Sequence, residues 1–153
     1  MTMKILLPLI LCLFVSASYG QSEAPEKGTL ADLRGKTKFF LVFFDLTSPK
    51  VILKEVKRQK VFTAVDYGRD AEFFIEYRMT LRATGGLIGA TGMIRKTEVG
   101  NMTVFFYRGD TRVIVWSEQS VWAEHGESKI VDSALHLIDK FLNDVKNDQK
   151  GKN

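Results

Sequence analysis

Four glycines crowd the stretch "ATGGLIGATG" (Ala83–Gly92), at positions 85, 86, 89 and 92. Such a run holds a phosphate when it joins a strand directly to a helix, because bare backbone N–H groups and the helix N-terminus then meet the anion. Here the spacing is Gly86-x-x-Gly89-x-x-Gly92, and no Lys-Ser or Lys-Thr pair follows. The next residues, "MIRKTEVGN" (Met93–Asn101), carry no helical stripe. A strand precedes the glycines; the helix that a phosphate loop needs does not follow. The stretch reads as a long connection, and its length leaves a lid or contact role open for the 83–100 loop.

The chain has two histidines. His125 sits in "AEHGES" (Ala123–Ser128), where Glu124, Glu127 and Asp132 could join it as a loose divalent-cation site. Zinc-peptidase spacing is absent, and acidic residues ahead of a helix also answer its dipole. His136 follows Asp132 by four residues, the spacing of an exposed helical ion pair. No serine lies in a Gly-x-Ser-x-Gly elbow. Glu76, the one carboxylate in a half-apolar strand, has Arg78 beside it and reads as a surface pair. "RGD" (Arg108–Asp110) is what a tight hairpin turn asks for. On these grounds no catalytic residue, metal ligand or cofactor is assigned, and a non-enzymatic protein is expected. The runner-up is a small-ligand or metal-binding module using the 83–100 loop or the His125 region, with a hydrolase third.

The amino end sets the compartment. A basic start (Met1–Lys4), the apolar run "ILLPLILCLFV" (Ile5–Val15) and the small residues of "SASYG" have the order of a secretory leader. The run is shorter than the roughly 20 residues that span a bilayer. Cleavage is expected after Gly20, with Ala17 as the second choice, giving a secreted or periplasmic chain without a transmembrane segment. Cys12, the only cysteine, leaves with the leader, which excludes thiol catalysis, disulfides and cysteine–zinc sites from the mature chain. The formal net charge of +4 is mild, and no basic block is interleaved with aromatics, so nucleic acid is not expected as a partner.

The elements follow from periodicity. Residues 21–35 read as a flexible arm, 36–147 as a single globular domain, and 148–153 as a disordered tail. "TKFFLVFFD" (Thr37–Asp45) is apolar on both faces, as in a central strand. Thr47 or Ser48 with Pro49 starts a helix to about Gln59, with Ile52, Leu53 and Val56 inward. "VFTAV" (Val61–Val65) is a short strand. "EFFIEYRMTLR" (Glu72–Arg82) alternates cleanly, with Phe73, Ile75, Tyr77, Met79 and Leu81 on one face. A hairpin spans Met102–Glu124 around Gly109-Asp110, and Ser128 caps a helix to about Lys146. The fold class is α/β (α+β): a two-layer sandwich in the order β-α-β-β-β-β-α. Its mixed sheet has about five strands, with both helices on one face.

"KVFTAVDYGRDAEFFIEY" (Lys60–Tyr77) resembles a pattern in small secreted bacterial proteins of uncharacterised families, in which a helix leads through a valine-aspartate turn to a strand. The layout from Thr37 to Lys146 is similar to the N-terminal domain of the periplasmic protein TolB. What the resemblance implies is a periplasmic or outer-envelope protein working through contacts.

With both helices on one side, the other side of the sheet becomes the surface to test. If Gly109-Asp110 is a two-residue turn, Tyr107 pairs with Arg112, Phe105 with Ile114 and Thr103 with Trp116 on that side. Trp122 lies further along it, and Phe74, Glu76 and Arg78 extend it on the neighbouring strand. The expected partner-binding face is therefore Phe74, Arg78, Phe105, Tyr107, Arg112, Trp116 and Trp122, facing a protein partner or another copy of the chain. Two readings stay open: a contact surface, or rings covered by the 21–35 arm or the 83–100 loop.

Overall fold

Period-2 alternation carries through to the sheet. In the computed structural model, which describes residues 24–83, 96–122 and 127–151, β4 runs Phe73–Ala83. Phe73, Ile75 and Tyr77 are fully buried on one side of it. The chain order is β1 (Glu26–Lys27), β2 (Lys38–Phe43), α1 (Ser48–Gln59), β3 (Thr63–Ala64), β4, β5 (Lys96–Arg108), β6 (Thr111–Trp122) and α2 (Glu127–Lys150). The six strands lie in the order β1-β6-β5-β4-β2-β3. β2 is parallel to β3 and β4, β4–β5–β6 are antiparallel, and β1 is parallel to β6. The expected two-layer plan holds, with one strand more than the sequence suggested.

The extra strand lies in the segment read as an arm. Glu26 and Lys27 pair with Val113 and Ile114, and the Gly28 N–H donates to the Ile114 carbonyl at 2.8 Å. The chain then turns under the helices, burying Leu33, while Arg34 reaches Asp148 near the end of α2 at 2.6 Å. Within the described residues the arm therefore lies on the helix side. The leader, residues 1–20, falls outside the described residues.

α1 starts at Ser48, as Pro49 in the first turn allows, but neither Thr47 nor Ser48 supplies a side-chain cap. Asp45 does that work, accepting from the N–H groups of Thr47 and Ser48 at 2.9 and 2.7 Å. Ile52 and Val56 are buried as expected; Leu53 is exposed instead. Glu55 is buried in the seam between the helices. It accepts from Arg58 and Gln59, and Gln59 also donates to Asp139 on α2 at 2.7 Å. The Arg58 guanidinium holds the Glu55 carboxyl down at about 2, whereas burial, followed by Glu55 itself, pushes Asp139 up.

The core lies between the helices and one face of the sheet. Ala134, Leu137, Ile138, Phe141 and Leu142 of α2 are fully buried against Tyr77, Met102, Val104 and Val113. Gly100 lets α2 approach closely: a Cβ there would stand 2.0 Å from Ser133 Oγ. One strand limit and one helix limit also move. β5 begins at Lys96 rather than Met102, so β4 and β5 pair from Phe74↔Phe105 to Ala83↔Lys96. α2 runs on to Lys150, into the stretch read as tail.

Candidate functional site

The face opposite the helices is built by the other parity of β4 and β5. Phe74 on β4 is the register partner of Phe105 on β5, so their rings stack at 5.2 Å with planes 11° apart. Tyr107, two residues along β5, stands edge-on to both, at 5.5 and 5.7 Å. Phe40 of β2 adds a further edge contact to Phe74 at 6.3 Å. Each such pair contributes about 0.5–1.5 kcal/mol beyond area burial. Phe105 is thereby reduced to 4% exposure, while Tyr107 keeps 53%.

Arginines roof this cluster. Gly109 at φ 62° closes the two-residue turn expected from the sequence, and Arg112 falls opposite Tyr107. Its guanidinium lies 3.7 Å over the Phe105 ring and 3.1 Å from the Glu76 carboxylate. Glu76 also faces Arg78 at 3.8 Å, and Arg78 in turn sits 4.3 Å over the exposed ring of Phe44. A chain of contacts thus runs Phe105–Arg112–Glu76–Arg78–Phe44 across β6, β5, β4 and the end of β2. Two arginines share one carboxylate, so the chain carries a net positive charge beside exposed apolar edges. The surface pair foreseen between Glu76 and Arg78 is the middle of a larger network.

Five of the seven expected face residues are brought together: Phe74, Arg78, Phe105, Tyr107 and Arg112. Trp116 is not among them. A register shift between Val104 and Phe105 pairs Val104 with Trp116 and Thr103 with Ser117, instead of Val104 with Val115 and Thr103 with Trp116. Val115 is the extra residue of this bulge, and such an insertion flips the facing of everything beyond it. Trp116 accordingly turns to the helices. It packs 5.4 Å from Phe141, and its indole Nε1 donates to Asp144 at 3.0 Å. Trp116 therefore drops out of the face. Trp122 is the register partner of Glu98, and its side chain lies outside the described residues.

Phe40 and Phe44 belong to the site and were missed. "TKFFLVFFD" is apolar throughout, so no alternation singles out the residues on either side. Phe43, though exposed, is the register partner of Tyr77 and so takes the helix-side parity of β2.

His136 and Asp132 are both exposed on α2, while His125 and Glu124 lie outside the described residues. Among the described residues, no group of three or more His, Cys, Asp or Glu side chains could hold a metal ion. Residues 84–95 of the glycine-rich stretch also lie outside the described residues. On the helix side, a groove of about 500 Å³ opens between α1 and the β3 edge, lined by Phe39, Leu53, Val56, Phe62, Lys57 and Lys60. No described helix is long and apolar enough to cross a membrane.

No family model matches the chain, and no curated protein matches it. Among solved structures it is similar to rare lipoprotein B from Shewanella oneidensis, with TM-score 0.44 and 10% identity over 75% of this chain and 98% of that one. It is also similar to a dodecamer of PelC from Paraburkholderia phytofirmans, with TM-score 0.40 and 14% identity over 80% of this chain and 93% of that one. These likenesses are weak, and no residue or role is carried over from them. A likeness to the TolB N-terminal domain is not shown.

Proposed function

We propose that this chain is an exported, non-enzymatic binding protein whose contact surface is the sheet face opposite the helices. The observation that carries the reading is the network from Phe105 through Arg112, Glu76 and Arg78 to Phe44. Aromatic rings and arginines are the residue types over-represented at binding hot spots. Here they are stacked in place before any partner arrives, which lowers the ordering cost of association. Export is supported by the leader-like order of the first twenty residues.

The chemistry selects the occupant. Two guanidinium groups with one carboxylate between them, bordered by exposed Phe44 and Tyr107, fit a protein surface that sets carboxylates beside apolar side chains. The test pairs Arg78→Glu with Tyr107→Ala in the full chain. Circular dichroism reads the fold, and capture from an envelope extract at low and high salt reads association. Wild-type chain is expected to hold an acidic protein that salt releases, and the folded double variant to lose it. Equal capture by both, or capture of lipid or glycan alone, overturns the reading.

A further inference from the structure

β6 is an edge strand for most of its length. β1 covers it only at Val113 and Ile114, because the chain leaves for the helix side after Gly28 donates to the Ile114 carbonyl. Beyond that point, no described residue pairs with the outer side of β6 from Val115 to Trp122. β1 is parallel to β6, so the described chain enters it from the side of the Gly109 turn, away from Val115.

Exposed edges are commonly blunted by lysine, proline, charge or a bulge. The Val115 bulge lies where β1 ends, and past it "WSEQSVW" has no proline, no lysine and one charge. That charge, Glu118, is met by Lys140 of α2 at 2.7 Å, which holds its carboxyl below the ordinary range. Ser117, Gln119 and Val121 are exposed, Val121 at 64%. This stretch offers roughly 24 Å of ladder, with that single charge, at about 3.4 Å per residue.

We infer that this edge pairs with a second copy of the same chain, β6 against β6, antiparallel about a two-fold axis at Gln119. Three features select a second copy in that register. Gln119 meets itself, Ser117 meets Val121, and Glu118 meets Ser120, so no like charges are opposed. Residues of one parity meet each other, so the outward N–H and C=O groups of both strands face one another. The incoming strand reaches its Trp122 opposite Trp116 and stops short of β1, which keeps its place on Val113 and Ile114. A two-fold, self-complementary contact is also the commonest form of soluble oligomer. The inference uses none of the residues of the opposite-face network, so either can fail without the other.

Because Ser117 and Val121 oppose each other twice across the axis, charges placed there read the register. Sedimentation of the full chain is expected to show a dimer. Ser117→Lys with Val121→Lys should weaken it at least about tenfold, through two lysine–lysine oppositions. Ser117→Lys with Val121→Glu should restore it, since each lysine then meets a glutamate of the other copy. If the two-lysine variant fails to fold by circular dichroism, Gln119→Cys in a Cys12→Ser background decides, with an oxidative cross-link between the two copies expected. A monomeric wild type, a two-lysine variant that dimerises as tightly as wild type, or a lysine–glutamate variant that stays monomeric overturns the inference. So does a Gln119→Cys chain that does not cross-link.

Discussion

On the helix side of the sheet, Phe39, Phe73, Ile75, Tyr77 and Met102 have no exposed surface, and two helices seal them. On the other side, Tyr107 and Phe44 keep 53% and 59% of theirs, and arginines rather than helices lie over the rings. Both faces are rich in phenylalanine, so composition does not separate them. What separates them is the covering layer. The helix side gains stability by excluding water. The opposite side gains less, because its rings are stabilised mostly by each other and by cations that remain hydrated. The comparison teaches that the fold and the contact surface draw on different residues of the same strands, and substitution should be able to separate them.

The largest break is expected at Phe141, which touches both Phe62 and Trp116 and has no exposed surface. Phe141→Ala should lower unfolding free energy by about 3–5 kcal/mol, through lost burial and the cavity left behind. Urea titration followed by tryptophan fluorescence measures it. Gly100→Ala comes next. Its Cβ would collide with Ser133 Oγ and crowd the Tyr77 hydroxyl at 3.1 Å, so a loss of about 1–3 kcal/mol is expected in the same titration. The paired variant Gly100→Ala with Ser133→Gly should recover part of that loss.

A third test sharpens the comparison through pH. Glu55 has its folded carboxyl depressed from 4.5 to about 2, chiefly by Arg58. A depressed carboxylate adds stability that is present above its unfolded value and is lost as pH falls through the folded one. Stability should therefore decline from about pH 5 toward about pH 2. Glu55→Gln should flatten that decline while lowering stability near neutrality by about 1 kcal/mol. Asp139, raised by burial, acts with the opposite sign: its contribution is present at low pH and falls as it ionises. Asp139→Asn should therefore steepen the acid limb relative to Glu55→Gln. The smallest effect belongs to the opposite face. Tyr107→Ala should cost less than about 1 kcal/mol, since a half-exposed ring gives up little burial.

How much of this was legible in the sequence differs from element to element. β4 could be read residue by residue, because Phe73 to Leu81 alternate without interruption and side chains on a strand point alternately to the two faces. The α2 stripe was equally clear. The Val115 bulge was not: "RVIVW" is apolar on consecutive positions, and nothing in residue type marks which valine is unpaired. That one insertion carried Trp116 from the expected contact face to the helix side. β1 was hidden for another reason. Its two residues are charged and exposed, and they join the sheet by main-chain bonds that leave no side-chain pattern. Gly100 looked like part of a turn-rich connection, whereas its role is the close approach of α2, a long-range fact absent from local sequence. The contact chain on the opposite face was half visible. Arg112 and Phe105 followed from the turn register, but Phe44 required knowing where β2 ends.

The central claim is that the opposite face is covered by a partner where the protein works, and bare when the protein is alone. Hydroxyl-radical footprinting of the purified chain and of cells that make it natively tests this directly, reading Tyr107 and Phe44 against Leu53 on α1. The account predicts strong labelling of all three in the purified chain, and protection of Tyr107 and Phe44 but not Leu53 in cells. Equal labelling of Tyr107 and Phe44 in both settings would contradict it.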